Sequence, residues 1–227
     1  MRTRLVAGLA LFLALAGPCP AQPAPTAQAQ WDRSLGEVET FQSARRDGRP
    51  LTPGEIELAR KVFRTGVDYS AVRVHDRKWW PLQPQTTAMT PNGSMYFSPD
   101  FPCFSDDFSD DSKLRFHLYS AAFCRRIFMH EMTHVYQHQQ GIRVVSRRLS
   151  EGGNQRYTLD PAKTLNDYSL EQQAEIVAEY FECLEYHKDL SALAPVLRGF
   201  LENPDFLRAD EEARRRRAPR QLTFNNS

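Results

Sequence analysis

The sequence predicts an α+β domain, a small mixed or antiparallel sheet packed on two helices. Three observations carry that reading. Lys113 to Gln140 holds no Pro or Gly and repeats apolar residues at helical spacing, and a second, capped helical run begins at Ser169. Ahead of both lie an alternating apolar segment and an Asn-Gly turn. The 227 residues, 41% of them apolar and 25% charged, suffice for one domain with a sizeable core. That composition excludes collagen-like, coiled-coil and wholly disordered classes. A formal charge of +1 supplies no overall field to draw nucleic acid. Four cysteines are too few for a disulfide scaffold.

The two ends read as appendages. Arg2 and Arg4 precede an apolar run from Leu5 to Ala16, then Gly17, Pro18, Pro20 and the small Ala21. Twelve helical residues cover about 18 Å, short of a bilayer core of roughly 30 Å, so residues 1–21 match a cleavable signal peptide rather than a membrane span. Pro18 directly before Cys19 argues against lipidation. Cleavage leaves 27 basic against 28 acidic residues and an exported chain, periplasmic or secreted, without an integral membrane segment. Residues 22–50 read as a linker and N-terminal extension, opening with Pro/Ala/Gln-rich sequence. The domain then occupies 51–205, and 206–227, with Arg214 to Arg217, is expected to be a basic, fraying tail.

Within the domain, Thr52 caps a helix that has Pro53 at its first position and Glu55 completing a capping box, and Gly66 stops it. Ala71 to His75 alternates as a strand. Thr86–Thr90 and Ser94–Ser98 flank Pro91-Asn92-Gly93, the signature of a hairpin. Asp100 to Asp111 reads as an irregular loop. The long helix ends at Gly141, and the second runs from Ser169, boxed with Gln172, to about Lys188. Between them lies a loop of nearly thirty residues, marked by Gly152-Gly153 and Asp160-Pro161.

The chemistry sits in the long helix, at His130-Glu131-Met132-Thr133-His134. Histidines four apart leave one helix face a turn apart, so both rings can reach a single Zn²⁺ at about 2.0–2.1 Å. Glu131 is placed to act as general base on a water held there. With 6 His and 14 Glu, the composition produces this pattern by chance in about one such chain in a hundred.

A third ligand is still needed. An arrangement with Gly and His seven and ten residues after the first histidine fails, because those positions are Gln137 and Gln140. The second helix offers Glu171 as ligand, and Glu175 one turn on to accept a hydrogen bond from a ligating histidine. The two roles are interchangeable at this level, and Glu179 is a weaker third candidate. Tyr168 is a candidate donor to a developing oxyanion. Trp79 and Trp80 belong to a cleft wall or to the core. His138, two turns beyond His130, is too far to share one ion. Cys124 and Cys183 lie towards the same end of the two helices if these run antiparallel, with Cys103 a rival partner and free thiols also open.

The chain resembles zincin metallopeptidases with a glutamate third ligand. More narrowly it is similar to the "Vgr-related" proteins and to the zincin-like domain of unknown function associated with extracellular contractile injection systems. The matching stretches are Leu51–Glu55, Val72–His75, Lys78–Pro81, Met129–Gln137 and Tyr168–Val177, within roughly residues 51–185. The export signal departs from that pattern. The resemblance implies a zincin-like fold and a zinc-dependent peptidase acting on a peptide or protein substrate. The competing expectation is a catalytically silent, zinc-stabilised binding module of a secretion or cell-envelope assembly.

Overall fold

A computed structural model describes residues 47–115 and 119–217. The expected signal peptide, most of the linker, His117 and the last ten residues lie outside that range. The described residues form an α+β fold: β1 (Arg49–Pro50), α1 (Pro53–Phe63), β2 (Arg73–Asp76), β3 (Met95–Phe97), α2 (Ala121–Gln139), α3 (Val144–Glu151), α4 (Leu170–Glu185), α5 (Ala194–Glu202) and α6 (Phe206–Arg217). Among them, no helix is long and apolar enough to cross a membrane.

The sheet is small and mixed. β1 pairs antiparallel with β2, and β2 pairs parallel with β3 in the register His75–Tyr96. The expected hairpin is reduced to one antiparallel bridge, Met89 with Tyr96, around the left-handed Gly93 (φ +82°). Tyr96 thus exchanges backbone hydrogen bonds with Met89 on one side while β3 lies along β2 on the other. Arg49, assigned by sequence to the extension, belongs to the sheet. Its guanidinium grips buried Glu55 at 2.7 and 2.8 Å, and the same carboxylate accepts from the backbone of Thr52 and Phe108. Glu55 therefore closes the α1 capping box and also ties the loop before α2 to the sheet. Removing one partner of such a buried pair typically costs roughly 3–5 kcal/mol, because it strands a charge.

α2 is the axis of the domain. It starts at Ser120 rather than near Lys113, because Ser105 bridges to Leu114 and Arg115 donates its backbone N–H to Phe104, which keeps the preceding residues out of the helix. Every residue from Phe128 to Gln137 is buried, as expected of a helix enclosed over most of its circumference. At about 100° per residue its circumference divides into sectors. Cys124 and Phe128 face the 101–108 loop, where Phe128 stacks on Phe108 with centroids 4.9 Å apart. Tyr136 faces α1 and α5, packing on Phe63 and Phe200. Arg126, His130 and Gln137 face α4. As the number on α2 rises from Arg126 to Gln137, its partner on α4 falls from Glu182 to Gln173, so the two helices run antiparallel.

Several expectations are corrected here. The helices are antiparallel, yet Cys124 is bonded to Cys103 and Cys183 is a buried free thiol. Cys124 lies on the loop-facing side, about 200° around the helix from Arg126, so its sulfur points away from α4. The long loop after Gly141 contains α3 and a 3-10 turn at Leu165–Asp167. Residues 206–217 form α6 instead of fraying. Leu207 is buried, Arg214 and Arg215 donate to the carbonyls of Asn166 and Gly141, and i,i+4 pairs such as Arg214–Asp210 support the helix. Trp79 and Trp80 are 41% and 44% exposed, neither core nor cleft wall.

The disulfide closes a loop with a sequence separation of 21, pinning β3's following loop to the first turn of α2. Replacing both cysteines by Ala is expected to lower the unfolding free energy by about 3 kcal/mol, measured by urea denaturation beside the reduced wild type.

Candidate metal centre

Two turns of α2 and the first turn of α4 converge on one point. His130 Nε2 and His134 Nε2 are 3.2 Å apart. Glu171 Oε2 lies 3.4 Å from the first and Glu171 Oε1 3.6 Å from the second. The three residues are buried, and one ligand atom from each falls within 4.8 Å of the others. Tetrahedral ligands at about 2.0–2.1 Å from an ion sit about 3.3–3.4 Å from one another, close to the separations of the two imidazoles from each other and of His130 from Glu171 Oε2, so the group could hold a metal ion.

The other ring nitrogens decide the protonation. Gln137 Nε2 donates to the Leu170 carbonyl and to Gln173 Oε1, which leaves Gln137 Oε1 as the acceptor 2.8 Å from His134 Nδ1. The proton of His134 therefore sits on Nδ1 and the lone pair on Nε2. His130 Nδ1 faces Glu175 Oε1 at 2.9 Å, and an acceptor-only carboxylate favours the same tautomer. Arg126 holds that carboxylate in turn at 2.6 Å. With His130 in its neutral form, two lone pairs and a buried carboxylate then point at each other. A divalent cation satisfies all three, and the residues fit Zn²⁺.

The geometry separates the sequence candidates. Glu171 is with the histidines, while Glu175 stands behind His130 as an orienting group. Glu179 takes a hydrogen bond from Tyr157 and does not join them. The structure places Tyr168 elsewhere: its hydroxyl donates to the Thr158 carbonyl and accepts from Asp160 N–H, clamping the loop before α4. His138 packs against Gly93 and lines a separate groove of about 650 Å³. His75 is buried, stacked on Tyr96 at 4.2 Å and held down to about 4 by burial and Arg77. His187 is exposed.

A cleft of about 440 Å³ opens over the centre. Its floor is His130, Glu131, His134 and Glu171. One wall is the 87–91 segment, and the other is α3 with Gly152, Gly153 and Gln155. Two members escaped the sequence reading. Thr90 donates to Glu131 Oε2 at 2.7 Å, both side chains being buried, and so aims the carboxylate. Arg148 Nε lies 2.8 Å from Glu171 Oε1. Thr90 was hidden because a hairpin flank gives no sign of which helix it meets, and Arg148 because its helix was read as loop.

Charge in the centre is strongly coupled. Burial opposes the charged form of His130, but Glu171 and Glu175 outweigh it and hold the group up at about 9. Burial likewise opposes ionisation of Glu171, yet the two imidazoles and Arg148 pull it well below the carboxylate range, and His130 and Arg126 lower Glu175. With metal removed, the His130 contribution to stability is full below its ordinary value of 6.5 and is lost as pH rises through about 9. The carboxylate contribution is present above 4.5 and is lost on acidification. The metal-free protein is thus expected to melt highest between about pH 4.5 and 6.5. A metal ion bound by His130 must displace its proton, so the apparent affinity of a divalent cation such as Zn²⁺ should rise about tenfold per pH unit from neutrality and flatten above pH 9, with proton release measurable by calorimetry in buffers of different ionisation heat. Glu171→Gln should lose most of that affinity.

No family model matches the chain. Over 141 residues, 59% of its length, it is 40% identical to the type VI secretion system spike protein VgrG2b of Pseudomonas aeruginosa, and it spans 13% of that protein. Among solved structures, the effector domain of Pseudomonas aeruginosa VgrG2b matches with a TM-score of 0.55 and 38% identity, over 66% of this chain and 83% of that one. At that identity and coverage, the chain belongs to the family of the VgrG2b effector domain.

Proposed function

We propose that this protein is an exported zinc-dependent peptidase with a zincin-like active site, acting as an effector on a peptide or protein substrate. The observation that carries the reading is the set of ligand-to-ligand separations, 3.2, 3.4 and 3.6 Å, beneath a cleft that also presents Glu131. His130, His134 and Glu171 would hold the metal. A zinc ion in such a set lowers the pKa of water and polarises a carbonyl. The protein's own residues do the remainder. Glu131, buried and steadied by Thr90, takes the proton of the attacking water and passes it to the leaving amine. Gln137 and Glu175 keep both imidazoles turned towards the centre.

Export is supported by two features. The N-terminal leader reads as a signal peptide, and the Cys103–Cys124 bridge belongs to an oxidising compartment. The effector description of the related domain agrees with a role outside the producing cytoplasm. A near-neutral chain has no charge-based claim on nucleic acid.

Glu131→Gln is expected to keep stoichiometric zinc, by metal analysis, and to lower turnover of a mixed peptide library by roughly 100- to 10,000-fold. Thr90→Val should cost about ten- to a hundredfold in kcat with zinc unaffected, and Thr90→Ser should recover most of it. A zinc-loaded wild type that cleaves nothing in the library or in a denatured protein would overturn the peptidase reading.

A further inference from the structure

Resting on the peptidase reading, we propose that Arg148 is a catalytic residue, the cation that receives the negative charge developing on the substrate's carbonyl oxygen. Peptide hydrolysis forms a C–O bond from water to the carbonyl carbon and pushes an electron pair onto the carbonyl oxygen. That pair returns as the C–N bond breaks and the amine leaves with the proton carried by Glu131. A preorganised N–H donor or cation facing that oxygen is usually the largest single protein contribution to such a step.

The donors within reach are few. Tyr168, the sequence's candidate, has spent its hydroxyl on Thr158 and lies outside the cleft. Tyr157 donates to Glu179, Thr90 to Glu131 and Gln155 to Glu171. Among the described residues lining the cleft, Arg148 is the one arginine or lysine. It stands on the last turn of α3, where a helix end favours positive charge. Its side chain is 36% exposed and only Nε is engaged, facing Glu171 Oε1 at 2.8 Å. The two terminal nitrogens have no hydrogen-bond partner among the described residues, and the head lies over Gly153, where even an added Cβ would leave 3.8 Å. The guanidinium is therefore anchored by one nitrogen beside a metal ligand and offers its other two to the cleft. A planar five-donor group allows that division, which a lysine ammonium does not reproduce.

The assignment is tested on the full-length mature protein with Arg148→Gln and Arg148→Lys. Three quantities are measured: kcat and KM on a cleaved library peptide, the dissociation constant for Zn²⁺ by chelator competition, and the affinity of the zinc-loaded protein for a phosphinic dipeptide, whose tetrahedral anion mimics the charged oxygen. Arg148→Gln is expected to lower kcat roughly 100- to 1000-fold with KM changed less than about threefold. It should weaken the phosphinic dipeptide by a similar factor and leave Zn²⁺ binding equal or tighter, since a positive neighbour is gone. Arg148→Lys should recover a minor part of kcat. Turnover of Arg148→Gln within threefold of an active wild type overturns the assignment and leaves the peptidase reading standing. Loss of zinc as severe as in Glu171→Gln also overturns it, because Arg148 would then only position the ligand. An inert wild type overturns both together.

Discussion

The register between α2 and α4 is the constraint on which the rest depends. Along that seam Arg126 meets Glu182 and Glu175, His130 meets Glu175 and Glu171, and Gln137 meets Gln173 and the Leu170 carbonyl. Each is a buried or half-buried polar group whose desolvation is repaid only by its own partner across the seam. A slip of α4 by one turn, about 5.4 Å, would bring Glu175 to the histidines and strand Arg126. Ser169 and Gln172 cap the start of α4 reciprocally, and Gln137 holds its first carbonyl, so the register is set at the end nearest the centre.

That seam also explains which parts of the site could be read from the sequence. His130, Glu131 and His134 are local to one helix, and a spacing of four dictates that their side chains share a face. Glu171 and Glu175 share a face too, which is why the choice between ligand and support could not be made without knowing the register. The capping boxes of α1 and α4 were legible because they are written within four residues. The start of α2 was not, because Leu114 is claimed by a strand-like bridge to Ser105 and Arg115 N–H by the Phe104 carbonyl, contacts between segments whose own propensities do not announce them. Cys124 shows the same limit. Antiparallel helices brought Cys183 to the right end, but the direction in which Cys124 points depends on what covers the opposite face.

α2 integrates these demands by assigning each sector a separate neighbour. One side rests on aromatic side chains from the 101–108 loop, another on Phe63 and Phe200, a third on α4, and the last opens to the cleft. An almost wholly buried helix has little freedom to tilt, because displacement towards any neighbour disturbs close packing elsewhere. The paired imidazoles are therefore held by the core as much as by their hydrogen bonds. Rigid support of this kind keeps the His130, His134 and Glu171 ligand atoms within reach of a single point.

The walls of the cleft are built differently from its floor. The 87–91 segment is joined to the sheet by the Met89–Tyr96 bridge and by Gln83, which donates to the Thr87 and Tyr96 carbonyls, and the far wall is a two-turn helix followed by Gly152-Gly153. On that helix Leu149 is 82% exposed at the rim. Substitutions, insertions or deletions in either wall would reshape what enters the cleft without moving a ligand. A domain of this construction can thus change its rims in evolution while the His130, His134 and Glu171 cluster beneath them is kept.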